Sequence, residues 1–89
     1  MAEGKLHFSL VAPERELFSG EVDRVDVPGS EGDFGVFVDH APFMTVLREG
    51  EVHVLDGGSL VHIFEIQGGF ADVTPQGLTI LAEHAVEAK

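Results

Sequence analysis

Leu6, Phe8 and Leu10 alternate with His7 and Ser9, the period-two pattern of a strand with one buried and one wet face. Pro13 and the charged run Glu14, Arg15 and Glu16 interrupt it, and a second extended run follows from Leu17 to Val27. Between Val22 and Val25 the alternation slips and then resumes, as one inserted residue would cause, so a bulge or bend is predicted there. Leu60 to Ile66 is apolar on nearly both faces and predicts a central strand covered on each side, ended by Gly68 and Gly69. Gly57 and Gly58 suit the two central positions of a tight hairpin turn. That turn sets Val54 opposite Val61, Val52 opposite Ile63, Leu55 opposite Leu60 and His53 opposite His62. A last hairpin is predicted from Phe70–Thr74 and Leu78–Leu81, joined by Pro75, Gln76 and Gly77.

Two stretches break the strand pattern. From Pro28 to Pro42 the glycines Gly29, Gly32 and Gly35 supply turn chemistry, with Phe34, Val36 and Phe37 as apolar anchors. A loop that only reversed the chain could be short and polar, whereas this one carries buried-type aromatics and two acids in a glycine frame, with His40 ahead of Ala41 and Pro42. It reads as a surface built for presentation. From Ala82 to Lys89 the residues are good helix formers on balance, and they predict the start of a helix that is marginal on its own. The expected fold is therefore all-β, a sandwich of about ten short strands. Residues 1–83 form the domain and residues 84–89 a residual helical tail.

Composition changes this picture mainly by exclusion. Sixteen acidic residues against five basic ones give a formal charge of −11, which argues against a phosphate backbone as partner and so against nucleic acid. The absence of cysteine removes disulfides, thiolate metal sites and a cysteine nucleophile together. No stretch approaches the roughly 20 apolar residues needed to span a bilayer, and no export signal is visible, so a soluble chain is expected.

Candidate chemistry is sparse. None of Ser9, Ser19, Ser30 and Ser59 lies in a Gly-x-Ser-x-Gly elbow. Asp33-Phe34-Gly35 spells the kinase magnesium tripeptide without the rest of that machinery. Gly29 to Gly35 lacks the lysine of a phosphate loop, and Glu31 and Asp33 would repel a phosphate. The carboxylate pairs Asp23/Asp26 and Glu49/Glu51 read as solvated strand faces, with no tryptophan or tyrosine to line a sugar cleft. His53 opposite His62, with Glu51 and Glu65 nearby, leaves one alternative function, a free-standing acidic module binding a metal or small ligand. Two histidines without a third ligand fit half-exposed cross-strand neighbours better.

Several ordered motifs resemble the N-terminal domain of the epsilon subunit of bacterial F-type ATP synthase, called delta in mitochondria. They are Phe18-Ser19-Gly20 with Val22, Pro28-Gly29-Ser30-Glu31-Gly32-Asp33-Phe34-Gly35-Val36, His40-Ala41-Pro42, Gly68-Gly69-Phe70 with Val73, and Ile80-Leu81-Ala82-Glu83. The resemblance covers nearly the whole chain and implies a flattened ten-stranded β-sandwich. It also implies a non-catalytic central-stalk subunit without a cofactor, packed on gamma, resting on the c-ring and reaching the alpha/beta head indirectly. Such a subunit is peripheral to the cytoplasmic face of the bacterial inner membrane. By position, the resemblance puts Ser30, Glu31, Gly32, Asp33 and His40 in the partner contact. Two departures stand out. Asp39 occupies the place where a glycine usually precedes the His-Ala-Pro triplet, so a positive φ there would cost more than in glycine. The C-terminal helical hairpin of the family would begin about where Lys89 stands, and hairpin-borne inhibition or ATP binding does not carry over.

Overall fold

The computed structural model describes residues 5–39 and 41–88. Eight strands make up the regular structure: β1 (Leu6–Ala12), β2 (Arg15–Val22), β3 (Arg24–Val27), β4 (Phe34–Val36), β5 (Phe43–Asp56), β6 (Ser59–Val73), β7 (Gly77–Ala82) and β8 (Ala85–Glu87). They hydrogen-bond in the order β2-β1-β7-β6-β5-β3-β4, with β8 added to β6. All pairs are antiparallel except β1 with β7, where His7 to Val11 run alongside Gly77 to Leu81. The sheet folds over on itself. Phe18 of β2 is three strands from β6 in this order, yet its ring lies 6.1 Å from that of Phe64, across the core. The all-β sandwich expected from the sequence is thus present.

Alternation builds the core as predicted for β1, whose Leu6, Phe8 and Leu10 are fully buried. Val52 and Val54 of β5, Phe64 and Ile66 of β6, and Leu78 and Ile80 of β7 close over them. Full burial of one such side chain is worth about 1.5–3 kcal/mol. Among the described residues no polar or charged side chain is buried, and no buried side-chain nitrogen or oxygen lacks a partner.

The predicted break between Val22 and Val25 is a bend at Asp23 that moves the chain from its pairing with β1 to a pairing with β5. The Asp23 amide donates to the Leu55 carbonyl (3.1 Å), and Asp23 Oδ2 accepts from the Gly57 amide (2.8 Å). The last hairpin turns as expected, with Thr74 and Gly77 exchanging backbone hydrogen bonds at 2.9 and 3.2 Å.

Four expectations need correction. In the β5–β6 hairpin Leu55 faces Leu60, but a bulge between Val54 and Leu55 shifts the rest by one residue, so Val54 faces His62 and His53 faces Ile63. A one-residue slip exchanges the faces of a strand. His53 and His62 therefore point to opposite sides of the sheet. Gly68 and Gly69 do not end β6; with φ of +86° and +138° they bend it, and the strand continues to Val73. Each of β5 and β6 thus spans what the pattern divides into two short strands. The outer face of β6 is not covered throughout, since Val61 is exposed. Finally, the C-terminal tail is not helical: Ala85–Glu87 pair with Phe64–Ile66, because the bent β6 leaves its first half an open edge on that side, and an edge of unpaired amides and carbonyls outcompetes an isolated short helix.

Candidate functional site: the acidic turn and an apolar stripe

The turn from Pro28 to Asp33 is bound to β5 by backbone pairing. Gly29 bridges Leu47, the Ser30 amide donates to the Val46 carbonyl (3.0 Å), and the Arg48 amide donates to the Pro28 carbonyl (3.0 Å). Gly29 is required sterically, since a Cβ there would meet the Gly32 carbonyl oxygen at 2.5 Å and the Phe34 ring at 2.9 Å. Gly32 has a φ of +138° and closes the turn through its amide on the Gly29 carbonyl (3.2 Å). The result is a knuckle fixed by main-chain bonds, with Ser30, Glu31, Gly32 and Asp33 all exposed.

The two carboxylates differ in surroundings. Asp33 is ion-paired with Arg48, whereas Glu31 has no side-chain hydrogen bond or ion pair among the described residues. His40 lies outside the described residues. Asp39 before it does take up a left-handed conformation, φ +65°, with its amide donating to the Pro75 carbonyl at 2.8 Å. Aspartate tolerates this region better than most side chains.

Beside the turn lies an open cleft of about 490 Å³. Its basic side chains are each matched to an acid: Arg24 to Asp26 (2.6 Å), Arg48 to Asp33, and His53 to Glu51 (2.9 Å). Each described basic side chain lining the cleft is thus already paired with a carboxylate. His62 sits on the other face, 2.7 Å from Glu87 and packed against the rings of both Phe18 (5.1 Å) and Phe64 (5.7 Å). No group of three or more potential metal ligands occurs among the described residues, and the histidine pairing on which the metal alternative rested is not formed.

Sequence reasoning missed a second surface. On the outer face, Val46 of β5 lies directly opposite Phe70 of β6, and Phe70 opposite Leu81 of β7. Met44 extends the row along β5, and all four are exposed, Met44 by 66%. Part of the signal was available: Phe70 and Leu81 stand in the two strands of the expected last hairpin, whereas Met44 and Val46 lie between the glycine-rich loop and the Gly57–Gly58 hairpin, in a stretch given no strand from sequence. An exposed apolar row of this kind marks an interaction face more often than an isolated surface residue does.

A family model for the ATP synthase delta/epsilon chain β-sandwich domain matches residues 5–88. The chain belongs to this family. A relative from Caulobacter vibrioides named ATP synthase epsilon chain is 76% identical over 84 residues, covering 94% of this chain and 96% of the relative. An epsilon chain from Hyphomonas neptunium is 68% identical over 81 residues, and there the match covers 91% of this chain but 60% of the relative. The fold recurs in a chain of the Euglena gracilis mitochondrial ATP synthase, solved as an OSCP/F1/c-ring assembly, with a TM-score of 0.87 at 24% identity over 94% of this chain and 54% of that one. A chain of the Tetrahymena thermophila mitochondrial ATP synthase central stalk and c-ring gives 0.78 at 17% identity, over 97% and 69%. At such identities the likeness is one of fold. Within the epsilon family fold seen here, no helix among the described residues is long and apolar enough to cross a membrane.

Proposed function

We propose that the chain is a central-stalk subunit of an F-type proton-translocating ATP synthase, held between gamma and the c-ring and transmitting rotation to the alpha/beta head without chemistry of its own. The observation that carries this reading is its near-complete match, at 76% identity, to a protein named ATP synthase epsilon chain. The geometry supports it. A rotor part must deform little under load, and a close-packed double layer whose buried side chains are all apolar among the described residues is stiff. The knuckle bearing Ser30, Glu31, Gly32 and Asp33 is assigned to the c-ring, and His40 joins it there on its place in the sequence; exposed carboxylates accept charge-assisted hydrogen bonds from basic or amide groups of polar loops. The row Val46–Phe70–Leu81 is assigned to gamma. It begins at the residue whose carbonyl anchors the knuckle, so the two contacts share β5. The subunit then sits peripherally at the cytoplasmic face of the bacterial inner membrane.

The test is a Glu31→Lys/Asp33→Lys double variant assembled into the synthase. Like charges set against a basic surface cost several kcal/mol, so proton-coupled ATP synthesis should fall while the variant still folds. Co-purification with gamma and the c-ring is expected for the unaltered chain. Wild-type coupling in the double variant would remove the assigned ring contact.

A further inference from the structure

One residue grips both ends of the acidic turn. The Arg48 backbone amide donates to the Pro28 carbonyl where the turn begins (3.0 Å), and the Arg48 guanidinium pairs with Asp33 where it ends. The second guanidinium nitrogen, Nη1, donates to the Glu49 carbonyl at 3.0 Å, so the side chain is braced against its own strand. Its path crosses Gly50, where a Cβ would lie 2.9 Å from Arg48 Nη1 and 2.9 Å from Pro28 Cβ. The glycine thus leaves the room in which the arginine lies. Between the two gripped ends, Glu31 is exposed and without a side-chain partner among the described residues.

We infer that Arg48 is the positioning residue of the turn: by taking Asp33 into an internal pair, it fixes the knuckle and leaves Glu31 as the carboxylate presented to a basic or amide-bearing surface. The two acids, alike in sequence, then divide their roles. Asp33 already has Oδ1 matched to a cation, which reduces the charge it offers a partner through its remaining oxygen, whereas Glu31 exchanges only water. An exposed ion pair adds little to overall stability, so the effect of Arg48 is local order, not the melting temperature. The functional half of this inference rests on the ring-facing reading proposed above, while the positioning half stands on the geometry alone.

Hydrogen exchange on the chain and coupling in the assembled synthase separate the two. Arg48→Ala and Asp33→Asn should each speed exchange of the Ser30 and Gly32 amides about two- to fivefold, the range an exposed pair supports, with the β6–β7 amides unchanged. Arg48→Lys should recover part of the protection, since lysine reaches the carboxylate but lacks the planar fork that also braces on Glu49. Glu31→Gln should leave exchange unaltered and lower proton pumping per ATP hydrolysed. Unchanged exchange at Ser30 and Gly32 in Arg48→Ala would overturn the positioning role. Faster exchange in Arg48→Ala together with wild-type coupling in Glu31→Gln would keep that role and overturn the ring-facing reading. Lowered coupling in Asp33→Asn without faster exchange would make Asp33 itself the contact and overturn the division between the acids.

Discussion

Gly69 meets two demands at once. Its φ is +138°, and a Cβ would lie 2.2 Å from the Leu81 carbonyl oxygen and 2.9 Å from the Ala82 Cα. Gly57 meets one demand only, with a φ of +63° and open space around it. The pair separates conformation from crowding. Gly57→Ala should cost about 1–2 kcal/mol, the left-handed penalty alone. Gly69→Ala should cost at least about 3 kcal/mol, because backbone strain and displacement of β7 add. Urea unfolding of the two variants checks this, and equal costs would refute the close approach. From sequence, Gly69 was legible as special but was assigned the wrong task. A glycine signals either an ending or a bend, and which one holds depends on whether a neighbouring strand, here β7, keeps the next residues paired. Glu31 and Asp33 were likewise legible as an exposed acidic pair, but their different surroundings were not, since Arg48 lies fifteen positions from Asp33 and comes alongside through the backbone pairing of the turn with β5.

Elements read locally came out well, and those that depend on distant partners did not. The alternation of β1, the bend at Asp23 and the Pro75–Gln76 turn are all set by neighbouring residues. The bulge at Val54/Leu55 is invisible in a pattern where Val52, Val54, Val61 and Ile63 make two equally plausible faces; Phe64 and Ile66 decide by filling the core. The β8 strand needs an open edge far away in sequence. Another such long-range tie links the start of β1 to the β5–β6 turn: Lys5 Nζ lies 2.7 Å from Asp56 Oδ1 and 3.9 Å from Asp23 Oδ1. The hydrogen bond from Lys5 holds the Asp56 carboxyl below its ordinary pKa, and the same bond raises that of Lys5. A lowered carboxyl adds stability above its unfolded pKa and loses it as pH falls through the folded one; a raised ammonium adds stability below its unfolded pKa and loses it as pH rises through the folded one. The tie is therefore complete from about pH 5 to 10 and fades on either side. Lys5→Met should lower the urea midpoint across that plateau, and the gap to wild type should close below about pH 4. A gap that persists undiminished into acid would show that the lysine acts through packing.

For the whole molecule, charge and connectivity matter more than any one contact. A formal charge of −11 on 89 residues means that the surface repels itself, and screening relieves this over a Debye length of about 10 Å at 0.1 M salt. The melting temperature should rise between low and moderate ionic strength, and a flat or falling profile would contradict it; the few basic groups are mostly engaged in the ion pairs already described, whose screening opposes the gain only weakly. The sandwich as a class was legible because alternation with frequent turns admits few other outcomes. Its parallel β1–β7 pair was not, because nothing in either strand alone names its neighbour. That pair also sets an order of events. Residues 7–11 reach the ribosome exit about seventy positions before their partners at 77–81, so the first strand of a nascent chain must wait beside β2 alone, with its other edge open. Closure comes only when the last hairpin emerges, which makes late folding a consequence of this topology.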